Sequence, residues 1–223
     1  FATEIRGYRG TVAGWLHARH PSWHTVGRVC LHLAENPGDE THAFAFLATY
    51  ATRAGAGGRV QHRPLSRAVE ESSARGDRQA LLQLLVPVQR AAEGSAWLAE
   101  LVDSGEIYQP LAWTPVEAHR FLREIPAFEA AGLVVRVPDW WRARRPPRPA
   151  VTIRIGSATP SGLGAAALLD FSVAVTVGDE TLSPAEVRSL LASADGLARV
   201  RGQWVELDRE RLGALLAHWD RVQ

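Results

Sequence analysis

The chain has 223 residues, of which 46% are hydrophobic and 22% are charged, and its formal net charge is +1. This composition is typical of a globular protein and excludes a disordered chain, and the length allows one large domain or two small ones. The near-neutral charge excludes a protein that coats nucleic acid over its whole surface, so any nucleic-acid contact must be local. Because no apolar run reaches the length of a membrane span and no signal peptide is evident, we expect a cytoplasmic protein without a membrane partner.

Two residue types limit the chemistry further. All 25 basic residues are arginine, and a P-loop needs a lysine to reach the terminal phosphates of a nucleotide, so this chain cannot form one. The single cysteine, Cys30, excludes an internal disulfide. The sequence also contains no methionine, and we therefore expect it to be an excerpt from a longer protein.

Residues 1–105 are predicted to form an α-helical part. Their apolar residues recur at helical spacing, and a glycine-rich turn at 54–58 separates two groups of segments. Pro87 is expected to kink the fifth segment. The segments predicted to be helical are 12–19, 26–34, 44–53, 65–74, 79–92 and 95–102.

Residues 106–223 are predicted to form an α+β part with short antiparallel strands. A helix is expected from Thr114, with Pro126 ending or bending it, and strands are expected at 133–137, 151–155 and 171–177. The motif SPAE at 183–186 predicts a capping box at the start of another helix, and Gly196 is placed as the C-terminal cap of that helix.

A helix–hairpin–helix unit is predicted next. The hairpin has Arg201-Gly202 at its tip, because Gly202 tolerates the positive φ that such turns need. In that register Arg199 lies opposite Trp204, close enough for a cation–π contact. Asp208 is expected to cap the C-terminal helix. The predicted fold class is therefore α+β, with an α-helical N-terminal part followed by a mixed part.

The sequence does not support a metal site, a phosphate loop or a nucleophile. One cysteine cannot make a zinc finger, and the glycines of SGLG at 161–164 lack the full phosphate-binding pattern. No catalytic motif surrounds Cys30 and His32. We therefore assign no catalytic and no metal-binding residue. The early histidines are interpreted as ordinary surface or core residues; they are His17, His20, His24, His32 and His42.

The stretch VPDWWRARRPPRPAV, residues 137–151, has two interpretations. Arginine side chains match phosphate oxygens and tryptophan rings stack on unpaired bases, so the stretch could bind nucleic acid. Alternatively, the tryptophans half-bury against a neighbouring element, the prolines stiffen the connection, and the arginines are solvated. Both interpretations stay open, and the candidate nucleic-acid-binding residues are Trp140, Trp141, Arg142, Arg144, Arg145 and Arg148.

Several blocks, taken in order, resemble one protein family. The sequence is similar to the helicase-associated region that lies N-terminal to the motor in bacterial SWI/SNF-type DEAD/DEAH-box helicases. The resemblance covers most of the chain and rests on RVCLHLAEN, FAFLATYATR, LLVPVQRAAEGS, LVDSGEIYQPLAWTPVEAHRFL, VVRVPDWWRARRPPRP, SGLGAAALLDFSVAVTVGDETLS and LARVRGQWVELDRERL.

The resemblance implies a parent protein that hydrolyses ATP to track along DNA, with ATP and Mg²⁺ bound by motor lobes outside this sequence. This chain is then expected to be a non-catalytic accessory module, without a cofactor of its own, that packs on the motor of the same polypeptide and contacts DNA or RNA. Two alternatives remain: a pure protein-interaction scaffold without nucleic-acid contact, and a free-standing enzyme.

Overall fold

A computed structural model describes residues 26–54, 59–143, 146–155 and 171–220. Backbone contacts divide the chain into two compact units. The first unit holds the described residues up to Thr114 and those from Phe121 to Pro138, and the second holds Pro115–Arg120 and the described residues from Asp139 onwards. The predicted helices at 12–19 and the residues of SGLG lie outside the described residues.

The first unit combines strands with helices. Its elements are β1 (Val29–Glu35), β2 (Phe44–Ala54), β3 (Arg59–Pro64), α1 (Leu65–Ala74), α2 (Arg78–Glu93), α3 (Ala96–Asp103), a 3₁₀ turn (Glu106–Tyr108), β4 (Leu111–Trp113), the greater part of α4 (Pro115–Ala130) and β5 (Val134–Arg136).

The strands of the first unit form one five-stranded sheet organised by β2. Strand β2 pairs along one edge with β1, and along the other edge with β4 near its beginning and with β3 near its end. These pairings are antiparallel, whereas β5 pairs with β1 in parallel. The strand order is β3-β2-β1-β5, with β4 paired to β2.

The predicted helices at 26–34 and 44–53 are wrong, because these residues form β1 and β2. In β1, Val29, Cys30 and Leu31 are all fully buried, so the strand is covered on both faces and loses the alternation by which strands are recognised. In β2, four alanines favour a helix locally, but pairing along both edges overrides that preference. The N-terminal part is therefore mixed and not α-helical, and the α+β class of the chain is confirmed.

One face of the sheet carries an aromatic core. Phe46 stacks on Trp113 with ring centroids 4.3 Å apart, and Phe121 contacts both rings at 5.7 and 5.4 Å. Phe121 and Phe128 of α4 are fully buried. Aromatic pairs in these offset and tilted arrangements contribute beyond their burial, so α4 is firmly fixed over this face.

The helices that follow β3 were predicted correctly because their signals are local. Helix α1 has the predicted bounds, and α2 and α3 differ from the prediction by one residue at each end. Asp77 and Ser95 accept hydrogen bonds from the backbone N–H groups that begin α2 and α3. Pro126, expected to end or bend its helix, lies inside α4.

The second unit contains two small sheets and four helices or parts of helices among its described residues. Beside the first turns of α4, its elements are α5 (Asp139–Ala143), β6 (Pro149–Ile155), β7 (Phe171–Val177), β8 (Glu180–Thr181), α6 (Pro184–Ala192), β9 (Gly196–Val200), β10 (Gln203–Leu207) and α7 (Arg209–Asp220).

Strands β6, β7 and β8 form one antiparallel sheet, and β9 and β10 form a hairpin. The buried residues that these elements share are Val175, Leu182, Leu190, Ala198, Val200, Val205, Leu207 and Leu212. Within the described part of the chain, no helix combines the length and hydropathy needed to cross a membrane.

Local signals set the ends of the second unit's elements. The predicted capping box is confirmed, with Ser183 and Glu186 bonded reciprocally. Arg201 and Gly202 form the hairpin tip, as predicted, and have φ of 49° and 82°. The Arg201 guanidinium also bonds Glu186 and Glu180, which ties the tip to α6 and β8. Gly196 does not cap α6 but begins β9.

Candidate functional site

The stretch 137–151 forms a short helix followed by an extended segment. Trp140, Trp141 and Arg142 lie on the five-residue helix α5, where both tryptophans are partly buried and Arg142 is exposed. Arg148 lies immediately before β6. Arg144 and Arg145 lie outside the described residues. The structure thus places the two tryptophans on a helix.

The two tryptophans belong to a cluster of rings. Trp140 and Trp141 meet edge to face at a centroid distance of 6.0 Å, and Trp140 also lies 6.3 Å from Trp204 of β10. Trp141 lies edge-on to His119 of α4 at 6.5 Å. On the hairpin, the guanidinium of Arg199 lies 5.8 Å from the Trp204 ring centroid, which confirms the predicted cation–π pair. We call the set Trp140, Trp141, His119, Trp204 and Arg199 the tryptophan cluster.

Beside the tryptophan cluster, the carboxylate of Glu206 contacts two side chains, those of Arg148 and His119. Glu206 of β10 is 9% exposed. Arg148 donates from Nε to Oε2 at 3.0 Å and from Nη2 to Oε1 at 2.8 Å, a bidentate geometry that fixes the guanidinium plane. His119 Nε2 lies 3.3 Å from Oε1, so the ring donates there when Nε2 carries the proton.

Two opposing effects set the pKa of the Glu206 carboxyl. Burial raises the pKa of its carboxyl, but hydrogen bonds and charge from Arg148 and His119 outweigh burial and leave the pKa below its ordinary value. The same bonds raise the pKa of Arg148. Glu206 is therefore ionised near neutral pH and acts as an acceptor for both neighbours.

Two backbone features bring these side chains together. The Glu206 N–H donates to the carbonyl of Pro147 at 3.0 Å, so the residue before Arg148 is held against β10. Gly196 has a φ of +111°, and a Cβ there would lie 3.0 Å from the His119 side chain. Any other residue at position 196 would be strained and would also push His119 away from the hairpin.

The arrangement combines a buried ion pair with flat rings. The Glu206 carboxylate is bonded to an arginine and its pKa is lowered, which makes it a weaker proton acceptor than an ordinary carboxylate. The partly exposed rings of the tryptophan cluster offer flat apolar surfaces of the kind on which a nucleobase stacks. Arg148 uses two of its five N–H donors on Glu206, so it is less available for a phosphate than an unbonded arginine would be.

Sequence reasoning found part of this site. The local density of tryptophan and arginine identified Trp140, Trp141 and Arg148. It missed His119 and Glu206, which are 87 positions apart, because nothing in the sequence links a helix residue to a hairpin residue at that distance. An acidic residue between the apolar residues Val205 and Leu207 was the available signal.

A second polar cluster lies on the first unit's sheet, on the face opposite the aromatic core. It consists of Cys30 and His32 of β1, Thr49 of β2 and His62 of β3, and we call it the Cys–His cluster. The Thr49 hydroxyl lies 2.8 Å from His32 Nε2 and 3.1 Å from His62 Nδ1. The two imidazole rings meet edge to face at 5.0 Å.

Burial keeps the Cys–His cluster uncharged. Burial first, and then the charges of His62 and Arg136, lower the pKa of His32 to about 4. Burial and Arg136 also lower the pKa of His62. Burial raises the pKa of the Cys30 thiol to about 11, although Arg136 and Arg28 oppose that shift. At neutral pH both imidazoles are therefore neutral and the thiol keeps its proton.

Known proteins resemble parts of this chain. A family model described as SNF2 helicase protein matches residues 106–223. Over 80 residues the chain is 34% identical to the provisionally named ATP-dependent helicase/translocase YwqA of Bacillus subtilis (strain 168). That alignment covers 34% of this chain and only 9% of YwqA, so the similarity spans a small part of the relative's length. No solved structure matches the chain.

Replacing Glu206 with glutamine should destabilise the second unit. Glutamine keeps the shape but removes the charge that two partners share. Arg148 is exposed and can turn to solvent, but His119 is largely buried, and a buried partner left poorly satisfied costs about 1–3 kcal/mol. We expect the free energy of unfolding in urea, followed by tryptophan fluorescence, to fall by that amount. Glu210→Gln, an exposed carboxyl on α7, is the matched control and should change it by less than about 0.5 kcal/mol. Equal losses in the two variants would contradict a structural role for Glu206.

The cost of Glu206→Gln should also depend on pH. The folded carboxyl has a pKa below its ordinary value of 4.5, so its contribution to stability is present above pH 4.5 and is lost as the pH falls through the folded pKa. The difference between wild type and variant, measured by urea unfolding, should therefore be full at pH 7 and should shrink below pH 4.5. A difference that stays constant down to pH 3 would show that the charge of Glu206 is not responsible.

Proposed function

Because the chain belongs to the SNF2 helicase protein family, which confirms the resemblance seen in its sequence, we propose that it is a non-catalytic accessory module of a bacterial ATP-dependent DNA translocase. The observation that carries this proposal is the family match over 106–223. The partner we propose is the ATPase motor of the same polypeptide. ATP and Mg²⁺ bind in that motor and not in this chain.

The chemistry of the residues supports a non-catalytic role. The chain contains no lysine, so it cannot supply the group that reaches the β- and γ-phosphates in a P-loop. The carboxylate of the candidate site is engaged by Arg148 and lies beside His119, which suits it to hold structure. The provisional name of YwqA, an ATP-dependent helicase/translocase, supports a motor elsewhere in the parent protein.

We further propose a local contact with DNA or RNA through the stretch 137–151. Trp140 and Trp141 would offer ring surface to unpaired bases, and the arginines beside them would bind phosphates. Arg142 is exposed on α5, and Arg144 and Arg145 follow it in the chain. Since Arg148 is bonded to Glu206, its part is to hold the stretch against the hairpin.

The second candidate function is a pure interaction scaffold without nucleic-acid contact. The packing of Trp140 and Trp141 against each other, against Trp204 and against His119 favours it, since rings engaged in this way have less surface for a base. In that case the tryptophans stabilise the second unit and the arginines remain solvated. The module would then bind the motor lobes alone.

ATP hydrolysis should require residues beyond this chain. The purified 223-residue chain should show no ATPase activity with or without DNA, whereas the full parent protein should hydrolyse ATP. The gene should encode GxxxxGK[ST] and an acidic DExx box in the same reading frame. A coupled ATPase assay on both proteins provides the measurement. Hydrolysis by the isolated chain, or a parent protein without a P-loop, would overturn the accessory role.

Replacing three arginines should weaken nucleic-acid binding in a salt-dependent way. We expect the chain to bind labelled single- or double-stranded DNA and the triple variant Arg142→Ala, Arg144→Ala and Arg145→Ala to bind more weakly. Loss of three phosphate contacts reduces the log–log salt slope by about 2.7 on duplex DNA and about 2.1 on a single strand. Fluorescence anisotropy across a salt series measures both quantities.

Two controls separate this contact from charge and folding effects. The variant Arg75→Ala, Arg78→Ala and Arg90→Ala removes the same charge from exposed positions of the first unit and should leave the slope unchanged. Arg148→Ala should lower the free energy of unfolding, because Arg148 is bonded to Glu206, and should change the salt slope little. If wild type does not bind DNA or RNA, or if both triple variants lose binding equally, the scaffold function replaces the contact.

A further inference from the structure

The Cys–His cluster brings together three groups that ligate metals. Cys30 Sγ and one ring nitrogen each of His32 and His62 all lie within 4.8 Å of one another. Cys30 and His32 are two positions apart in β1 and so point to the same face of the sheet, and His62 reaches that face from β3. Two strands separated by β2 therefore direct their ligands to one point.

The surroundings of the cluster make these polar groups unusual. Apart from Thr49, their neighbours on the same face include the apolar residues Ala51, Val134 and Val60. Cys30 is fully buried, and its nearest hydrogen-bond acceptor, the carbonyl of Arg28, lies 3.9 Å from the sulfur. Cys30 is buried and both imidazoles are partly buried, with the Thr49 hydroxyl as the partner of both rings. Polar side chains at such positions cost free energy that valine or leucine would not incur. A ligand-binding role would account for all three residues.

We propose that Cys30, His32 and His62 bind one Zn²⁺ ion that cross-links β1 and β3. One thiolate and two imidazoles form a ligand set that suits zinc, which accepts sulfur and nitrogen together and leaves a fourth position for water. The site is independent of the proposed function, because β1 and β3 lie outside the residues that match the helicase family.

The geometry requires a modest contraction. With Zn–S near 2.3 Å and Zn–N near 2.0–2.1 Å, tetrahedral ligand atoms are about 3.3–3.7 Å apart, so separations of up to 4.8 Å must close by at most roughly 1.1–1.5 Å. The two ring nitrogens already converge, since Thr49 Oγ1 lies within hydrogen-bond distance of both. Metal binding would break those two bonds and take the place of the hydroxyl between the rings.

A metal binds cysteine as the thiolate and histidine as the neutral imidazole. Zn²⁺ displaces the thiol proton of Cys30, and the proton passes to solvent as the sulfur–metal bond forms. Arg28 and Arg136 are both exposed, so solvent screens their repulsion of the ion.

Cobalt titration of the 223-residue chain tests the site. After removal of metals with a chelator, Co²⁺ should bind at one equivalent and produce a thiolate-to-cobalt charge-transfer band together with the visible bands of a tetrahedral ion. One equivalent of Zn²⁺ should abolish both. Cys30→Ser should lose the charge-transfer band, and His62→Gln should weaken binding by at least about tenfold, the loss that even an outer-shell change produces.

Folding controls keep the test decisive. Cys30 is fully buried, so its variant is judged beside His62→Gln, a less buried position, and circular dichroism verifies the fold of both. His42→Gln, at a partly exposed histidine beside Asp39, should bind Co²⁺ like wild type. Zn²⁺ should raise the melting temperature of wild type and of His42→Gln but not of His62→Gln. Absence of the charge-transfer band in wild type, its persistence in Cys30→Ser, or equal affinities of the two histidine variants would overturn the proposal.

Discussion

The carboxylate of Glu206 is the group on which the arrangement of the candidate site depends. A carboxylate that is 9% exposed is tolerated only with charge and hydrogen bonds around it, and it therefore requires Arg148 and His119 to approach the hairpin. The backbone bond from Glu206 to Pro147 adds a second constraint on the same segment. Without these interactions, nothing in the arginine-rich segment would hold it along β10. The requirement to satisfy one buried charge gives this segment a defined path.

In the first unit the corresponding constraint is the pairing of β2. Because one long strand pairs with β1, β3 and β4, its alternating side chains fix what lies on each face of the sheet. Phe46 belongs to the face that meets Trp113 and Phe121, and Thr49 belongs to the opposite face between His32 and His62. A shift of one residue in the register would place Thr49 among the aromatic rings and open the Cys–His cluster. The core and the cluster are thus two consequences of one register.

A structural feature was predicted correctly when the residues that determine it are close together in the sequence. Helix α1, the capping box at Ser183 and the pair of Arg199 with Trp204 depend on neighbours within a few residues, and these were predicted correctly. Strands β1 and β2 were mistaken for helices, because their stability comes from partners that the local pattern does not reveal. The same limit applies to the sites. Trp140 and Arg148 were visible as a dense local stretch, whereas the approach of His62 to His32 is set by sheet topology.

The family match covers the whole second unit but only part of the first. The matched residues 106–223 include all of the second unit, and they also include β4 and β5, which pair with β2 and β1 outside the match. The sheet therefore joins residues inside and outside the matched region by backbone hydrogen bonds. An inference about the tryptophan cluster draws on the family, whereas an inference about Cys30 and His62 rests on geometry alone. Either can fail without affecting the other, because the two clusters share no residue and depend on different constraints.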